Sequence, residues 1–97
     1  MKFKWDERKN KVNIRKHGFN FINAWEIFEG PMLTTLDDRY DYDEERWIGI
    51  GSLRTRIVVV VFTEPSEDTI RIISLRKALN HERRRYQKYI RERLGTN

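Results

Sequence analysis

A set of cations, two imidazoles and one tyrosine carries what chemistry this chain offers. That set suits the cleavage of RNA by its own 2′-hydroxyl, without a metal. A base removes the 2′-OH proton and an acid protonates the departing 5′-oxygen. Fixed cations stabilise the charge that builds on the phosphoryl oxygens. Arginine fits this task because its planar fork grips two oxygens and never loses its charge. His17 ends a predicted helix, where the dipole favours the protonated ring, and it can serve as base or acid. Arg46 opens a predicted strand. Arg71 and Arg76 lie five positions apart on another, so strict alternation puts them on opposite faces. Ser74 shares a face with Arg76, which selects Arg76 for the site and sends Arg71 to the other side. Arg83 and Tyr86 are neighbours on the last helix. Their plainer reading is a helix whose long side chains cover the sheet.

Other chemistries lack their residues. There is no cysteine, which excludes disulfides and thiolate metal sites. No phosphate-binding glycine loop is present, and Gly49-Ile50-Gly51 falls inside a predicted strand. His17 and His81 have no metal-ligand spacing. The acidic run Asp37, Asp38, Asp41, Asp43, Glu44 and Glu45 lacks the spacing and central glycine of a calcium loop, so it reads as a solvated connector. The expectation is therefore no metal and no cofactor. Trp5 and Trp47 are open to core packing or base stacking, and Trp25 reads as core.

The elements that must position these residues follow from pattern. Phe3-Lys4-Trp5 is a short strand. Asp6 caps a helix over residues 7–17 that Gly18 ends, with Lys9, Asn13 and Lys16 along one face and only Val12 and Ile14 apolar. Asn20 caps a shorter helix with an apolar stripe of Phe21, Trp25 and Phe28, stopped by Gly30-Pro31. Strands are predicted over Met32–Leu36, Arg46–Leu53, Arg56–Thr63 and Thr69–Arg76. A turn over residues 64–68 separates the last two. The run Ile57–Phe62 is continuously apolar, as in a central strand covered on both faces. A helix over residues 79–94 closes the chain. The order is β-α-α-β-β-β-β-α, an α+β fold with an antiparallel sheet packed by helices, in a single domain over residues 1–97.

Net charge is +5, from 20 Lys and Arg against 15 Asp and Glu. It is unevenly spread. Residues 1–20 and 71–97 are strongly basic, while residues 21–70 carry eleven acids against four bases. If the ends meet, they form one face for a polyanion. The longest apolar run is far too short to span a bilayer. The expectation is a cytoplasmic protein with no membrane contact.

Several separated motifs together resemble the BrnT-type toxins of type II toxin–antitoxin systems. They are Phe3-Lys4-Trp5-Asp6, Lys9, Asn13, Lys16-His17-Gly18, Phe21 and Ala24; then Glu45-Arg46 and Ile50-Gly51; then Arg71-Ile72-Ile73-Ser74-Leu75-Arg76-Lys77-Ala78, Glu82-Arg83 and Tyr86. Leu75 departs from the pattern, which usually has a small residue there. The resemblance implies a RelE-like fold and an endoribonuclease that stops translation. It implies an RNA substrate and a cognate ribbon-helix-helix antitoxin, with operator DNA met only through the antitoxin complex. It carries family function over at Lys16, His17, Glu45, Arg46, Arg76, Arg83 and Tyr86. The catalytic candidates are His17, Glu45, Arg46, Arg76 and Tyr86, and the RNA-binding ones are Lys9, Lys16 and Arg83. The alternative is a non-catalytic basic module that binds nucleic acid or protein.

Overall fold

The computed structural model describes residues 1–39 and 41–95, so Tyr40 of the acidic connector lies outside the described residues. The elements are β1 (Lys2–Trp5), α1 (Glu7–His17), a 3-10 helix (Phe21–Glu29), β2 (Leu33–Leu36), β3 (Trp47–Leu53), β4 (Arg56–Ser66), β5 (Thr69–Lys77) and α2 (Asn80–Arg93). The predicted order holds. One five-stranded sheet runs β1-β5-β4-β3-β2. Strands β2 to β5 form an antiparallel meander, and β1 joins the far edge parallel to β5. No helix among the described residues is long and apolar enough to cross a membrane.

Two apolar layers cover the sheet. Val58, Val60, Phe62, Ile70, Ile72 and Leu75 pack on one face against Phe19, Phe21, Ala24 and Ile27. On the other face Ile50 and Val59 pack against Tyr86 and Ala78, with Tyr89 and Ile90 partly buried beside them. The β-branched run of β4 feeds both layers, which is why it reads as unbroken rather than alternating. Gly51 permits the close approach of the 3-10 helix, since a Cβ there would sit 2.7 Å from an Ile27 methyl.

The helix ends follow local chemistry. The Asp6 carboxylate accepts from the amides of Arg8 and Lys9, and Gly18 closes α1 at φ 76°. Yet α1 docks through amides rather than apolar side chains. Asn10 and Asn13 are buried, while Val12 and Ile14 are exposed.

Three expectations change. The second helix is 3-10, and its buried residues are Phe21, Ala24 and Ile27, a period of three. Side chains at i and i+3 eclipse in that geometry, so Trp25 leaves the core and stands 48% exposed. Strand β4 runs through Pro65 to Ser66, leaving only Glu67 and Asp68 in the turn; its pairing is irregular between Thr63 and Ser66, where proline cannot donate. The acidic connector is not wholly solvated. Asp37 is buried, holding the Arg39 guanidinium by two hydrogen bonds and accepting a third from Tyr42.

Candidate active site

The site is built by one extra residue in β5. Val61 pairs with Ser74 and Phe62 with Ile72, so Ile73 has no partner on β4 and forms a bulge. Beyond it the alternation resets. Ile70, Ile72 and Leu75 all face the core shared with the 3-10 helix. Arg71, Ser74 and Arg76 consequently share the opposite face, paired with Thr63, Val61 and Val59. The expectation that Arg71 and Arg76 point to opposite sides is thus overturned, because the count of five included a residue the ladder skips. A trace of this exists in sequence: the polar positions 71, 74 and 76 are spaced three and then two.

The bulge is held from outside the sheet. Strand β1 accompanies β5 only as far as the pair Trp5 and Ile72. Past that point the Asn13 carboxamide takes the place of a strand. Its Oδ1 accepts from the Leu75 amide at 3.1 Å, and its Nδ2 donates to the Leu75 carbonyl at 2.8 Å and to the Phe19 carbonyl at 3.0 Å.

Across the sheet from Arg71 lies Thr63, and Arg46, the residue just before β3, stands one position beyond the Trp47–Phe62 pair. The Arg46 carbonyl accepts from the Asp37 amide, which prolongs the pairing of β2 with β3. Arg46, Thr63 and Arg71 therefore form a row over three adjacent strands, and Arg76 stands about 13 Å further along the same face.

Each cation is oriented. Arg76 grips Glu82 at two points, 2.8 and 2.9 Å, and Glu82 also accepts from the Leu79 amide at the start of α2. The hydrogen bond from Arg76 holds the Glu82 carboxyl below its ordinary value, against burial that raises it. The Arg76 guanidinium is raised in turn, chiefly by that same bond. Arg71 pairs with Glu44. The Arg46 guanidinium lies 4.0 Å over the Tyr42 ring. Its Nε is buried with no hydrogen-bond partner in the protein, as is the Thr63 hydroxyl.

The remaining candidates fall elsewhere. Lys9, Lys16 and His17 line a groove along α1 together with Val12 and Ile73, on the far side of β5 from α2. Arg83 lines a different groove with Arg56 and Lys77, near the β3–β4 turn. Tyr86 is buried and donates its hydroxyl to the Pro31 carbonyl at 3.0 Å, and burial raises its pKa. Glu45 is exposed beside Glu44, Trp47 and Glu64 at the mouth of the acidic connector. Trp5 and Trp47 are half-buried against the core. Of the sequence candidates, the structure brings Arg46 and Arg76 onto one face and adds Arg71, Thr63 and Glu82. Among the described residues, no group of three or more His, Cys, Asp or Glu side chains is placed to hold a metal.

A sequence description of the family "Ribonuclease toxin, BrnT, of type II toxin-antitoxin system" matches residues 5–82. The chain belongs to the BrnT family. Its fold is similar to that of the Brucella abortus ribonuclease toxin BrnT, known from a 1.1 Å crystal structure. The TM-score is 0.64 at 29% sequence identity, over 82% of this chain and 99% of that one. No protein with a curated description matches the sequence. BrnT membership makes this a toxin-family chain with ribonuclease character, and it implies an RNA substrate and an antitoxin partner. The matched segment stops at Glu82, so Arg83, Tyr86 and the basic remainder of α2 lie beyond it.

Proposed function

We propose that the chain is a metal-independent endoribonuclease that cuts RNA through attack of its own 2′-hydroxyl and so inhibits translation. The observation that carries this is the cationic face that the Ile73 bulge creates, on which Arg76 is fixed against Glu82 and Arg71 and Arg46 lie further along. Arg76, fixed by its two bonds to Glu82, is preorganised to receive phosphoryl oxygens without reorienting. Arg46 adds a second charge whose plane is set by Tyr42. Glu45 at the rim is the group assigned to proton transfer. His17, across β5 in the α1 groove, is assigned with Lys9 and Lys16 to the RNA path. Tyr86, with its hydroxyl engaged by Pro31, is assigned to packing.

The proposed partner is a ribbon-helix-helix antitoxin that covers the basic site and brings operator DNA to the complex. The decisive experiment incubates the purified protein with structured RNA in the presence of a chelator. Cleavage leaving 2′,3′-cyclic phosphate ends is expected, as is a fall of about 100-fold or more in Arg46→Ala and Arg76→Ala. Intact RNA with wild-type protein sinks the enzymatic reading and leaves a binding module, whose affinity falls steeply with salt.

A further inference from the structure

We propose that Arg71, Thr63 and Arg46 form a phosphate subsite, separate from the position served by Arg76, which Glu44 fills in the free protein and a phosphate of the RNA chain takes over. The proposal rests on the ribonuclease reading of Arg76 and names a further part of its substrate site.

Four observations lead to it. First, Arg71 and Thr63 are register partners on β5 and β4, and Arg46 directly precedes β3, one position beyond the Trp47–Phe62 pair, so the three lie in one row. Second, two polar atoms in that row, Arg46 Nε and Thr63 Oγ1, are buried and unpartnered. Both can donate, and an anionic oxygen is what two such donors beside a guanidinium accept. Third, the two carboxylates on this face are held differently. The Glu82 side chain is 12% exposed and is tied to the backbone of α2 as well as to Arg76. The Glu44 side chain is 38% exposed, and it reaches Arg71 from the connector between β2 and β3. Glu82 is a permanent counterion, whereas Glu44 is exchangeable, because a half-exposed ion pair contributes little. The connector keeps its anchor when Glu44 leaves, since buried Asp37 remains bound to Arg39. Fourth, Arg71 starts about 13 Å from Arg76 along the strand, and each is turned to its own counterion, Glu44 and Glu82, so the two guanidiniums serve separate positions.

The test measures binding of a 2′-O-methyl RNA oligonucleotide, which cannot be cut, by fluorescence anisotropy over a series of salt concentrations. Arg71→Ala is expected to flatten the slope of log affinity against log salt by about 0.7, the contribution of one single-stranded phosphate contact. Glu44→Gln is expected to raise affinity about twofold to fivefold, the factor equivalent to losing a competing surface ion pair. An unchanged slope in a folded Arg71→Ala protein, or an unchanged affinity in Glu44→Gln, overturns the subsite. Should Arg71→Ala fail to fold, the Glu44 variant alone decides, because it alters only a half-exposed side chain. Cleavage of unmodified RNA, run in parallel, keeps the two readings apart. Cleavage with an unchanged slope removes only the subsite. No cleavage with a flattened slope removes only the enzyme.

Discussion

Asn13 and Leu75 are joined by a pair of hydrogen bonds in which one side-chain amide satisfies both the N–H and the C=O of one backbone residue. The contact closes the β5 edge where β1 ends, immediately after the bulge that gathers the arginines. It ties the basic N-terminal helix to the strand bearing Arg76.

Asn13→Ala leaves both Leu75 groups and the Phe19 carbonyl without their partner. A buried polar group left unsatisfied costs about 1–3 kcal/mol. The melting temperature is expected to fall by roughly 10 °C or more, as is usual for losses of this size in a domain of this length. Thermal denaturation followed by circular dichroism checks it. Asn13→Asp keeps an acceptor for the Leu75 amide but loses both donated bonds, so it should also destabilise. A melting temperature equal to that of wild type in both variants removes the strand-substitute role.

Stability should also fall in acid through Glu82. Its folded pKa lies below the ordinary 4.5, with the Arg76 hydrogen bond as the main cause. A depressed carboxyl stabilises the fold above its unfolded pKa, and that contribution is lost as pH drops through the lowered folded value. Asp37, lowered from 3.8 chiefly by Arg39, acts in the same direction at more acid pH. Urea unfolding between about pH 5 and pH 3 should show a declining midpoint in wild type and a shallower decline in Glu82→Gln. Parallel declines would remove Glu82 as the source.

The proton-transfer assignment is tested by substitution. Glu45→Gln is expected to lower kcat by about 100-fold with little change in KM, because it removes a proton-transfer group and leaves the cations in place. His17→Ala, made in the α1 groove, is expected to raise KM more than it lowers kcat. Cleavage by Glu45→Gln at the wild-type rate places the base elsewhere.

Much of the scaffold was legible because it rests on local signals. Asp6 and Gly18 mark α1 through cap chemistry, and the apolar run of β4 marks the central strand. What stayed hidden depends on long-range pairing. The bulge at Ile73 arises only when β5 meets β4, so counting along the sequence puts its arginines on opposite faces. Asn13 sits in a helix beside Lys9 and Lys16, and its place on that face hides a buried role set by Leu75, far away in sequence. Trp25 and Phe28 follow an α-helical period that the segment does not adopt; the alternative period, through Phe21, Ala24 and Ile27, was equally present. The chemistry of Arg46 and Arg76 is visible in the sequence, but their shared face comes from the sheet. Arg71 joins them only because the ladder is irregular.

The single unmatched residue in β5 also sets terms for transplanting this catalytic face. A designer who copies Arg71, Ser74 and Arg76 onto a regular strand at their native spacing scatters them over both sides. Dropping Ile73 from the copied segment keeps all three on one side, since the ladder already skips that residue and the spacing becomes two and two. The portable unit is therefore either the bulged strand with an amide clamp such as Asn13, or the same residues re-spaced for a regular strand.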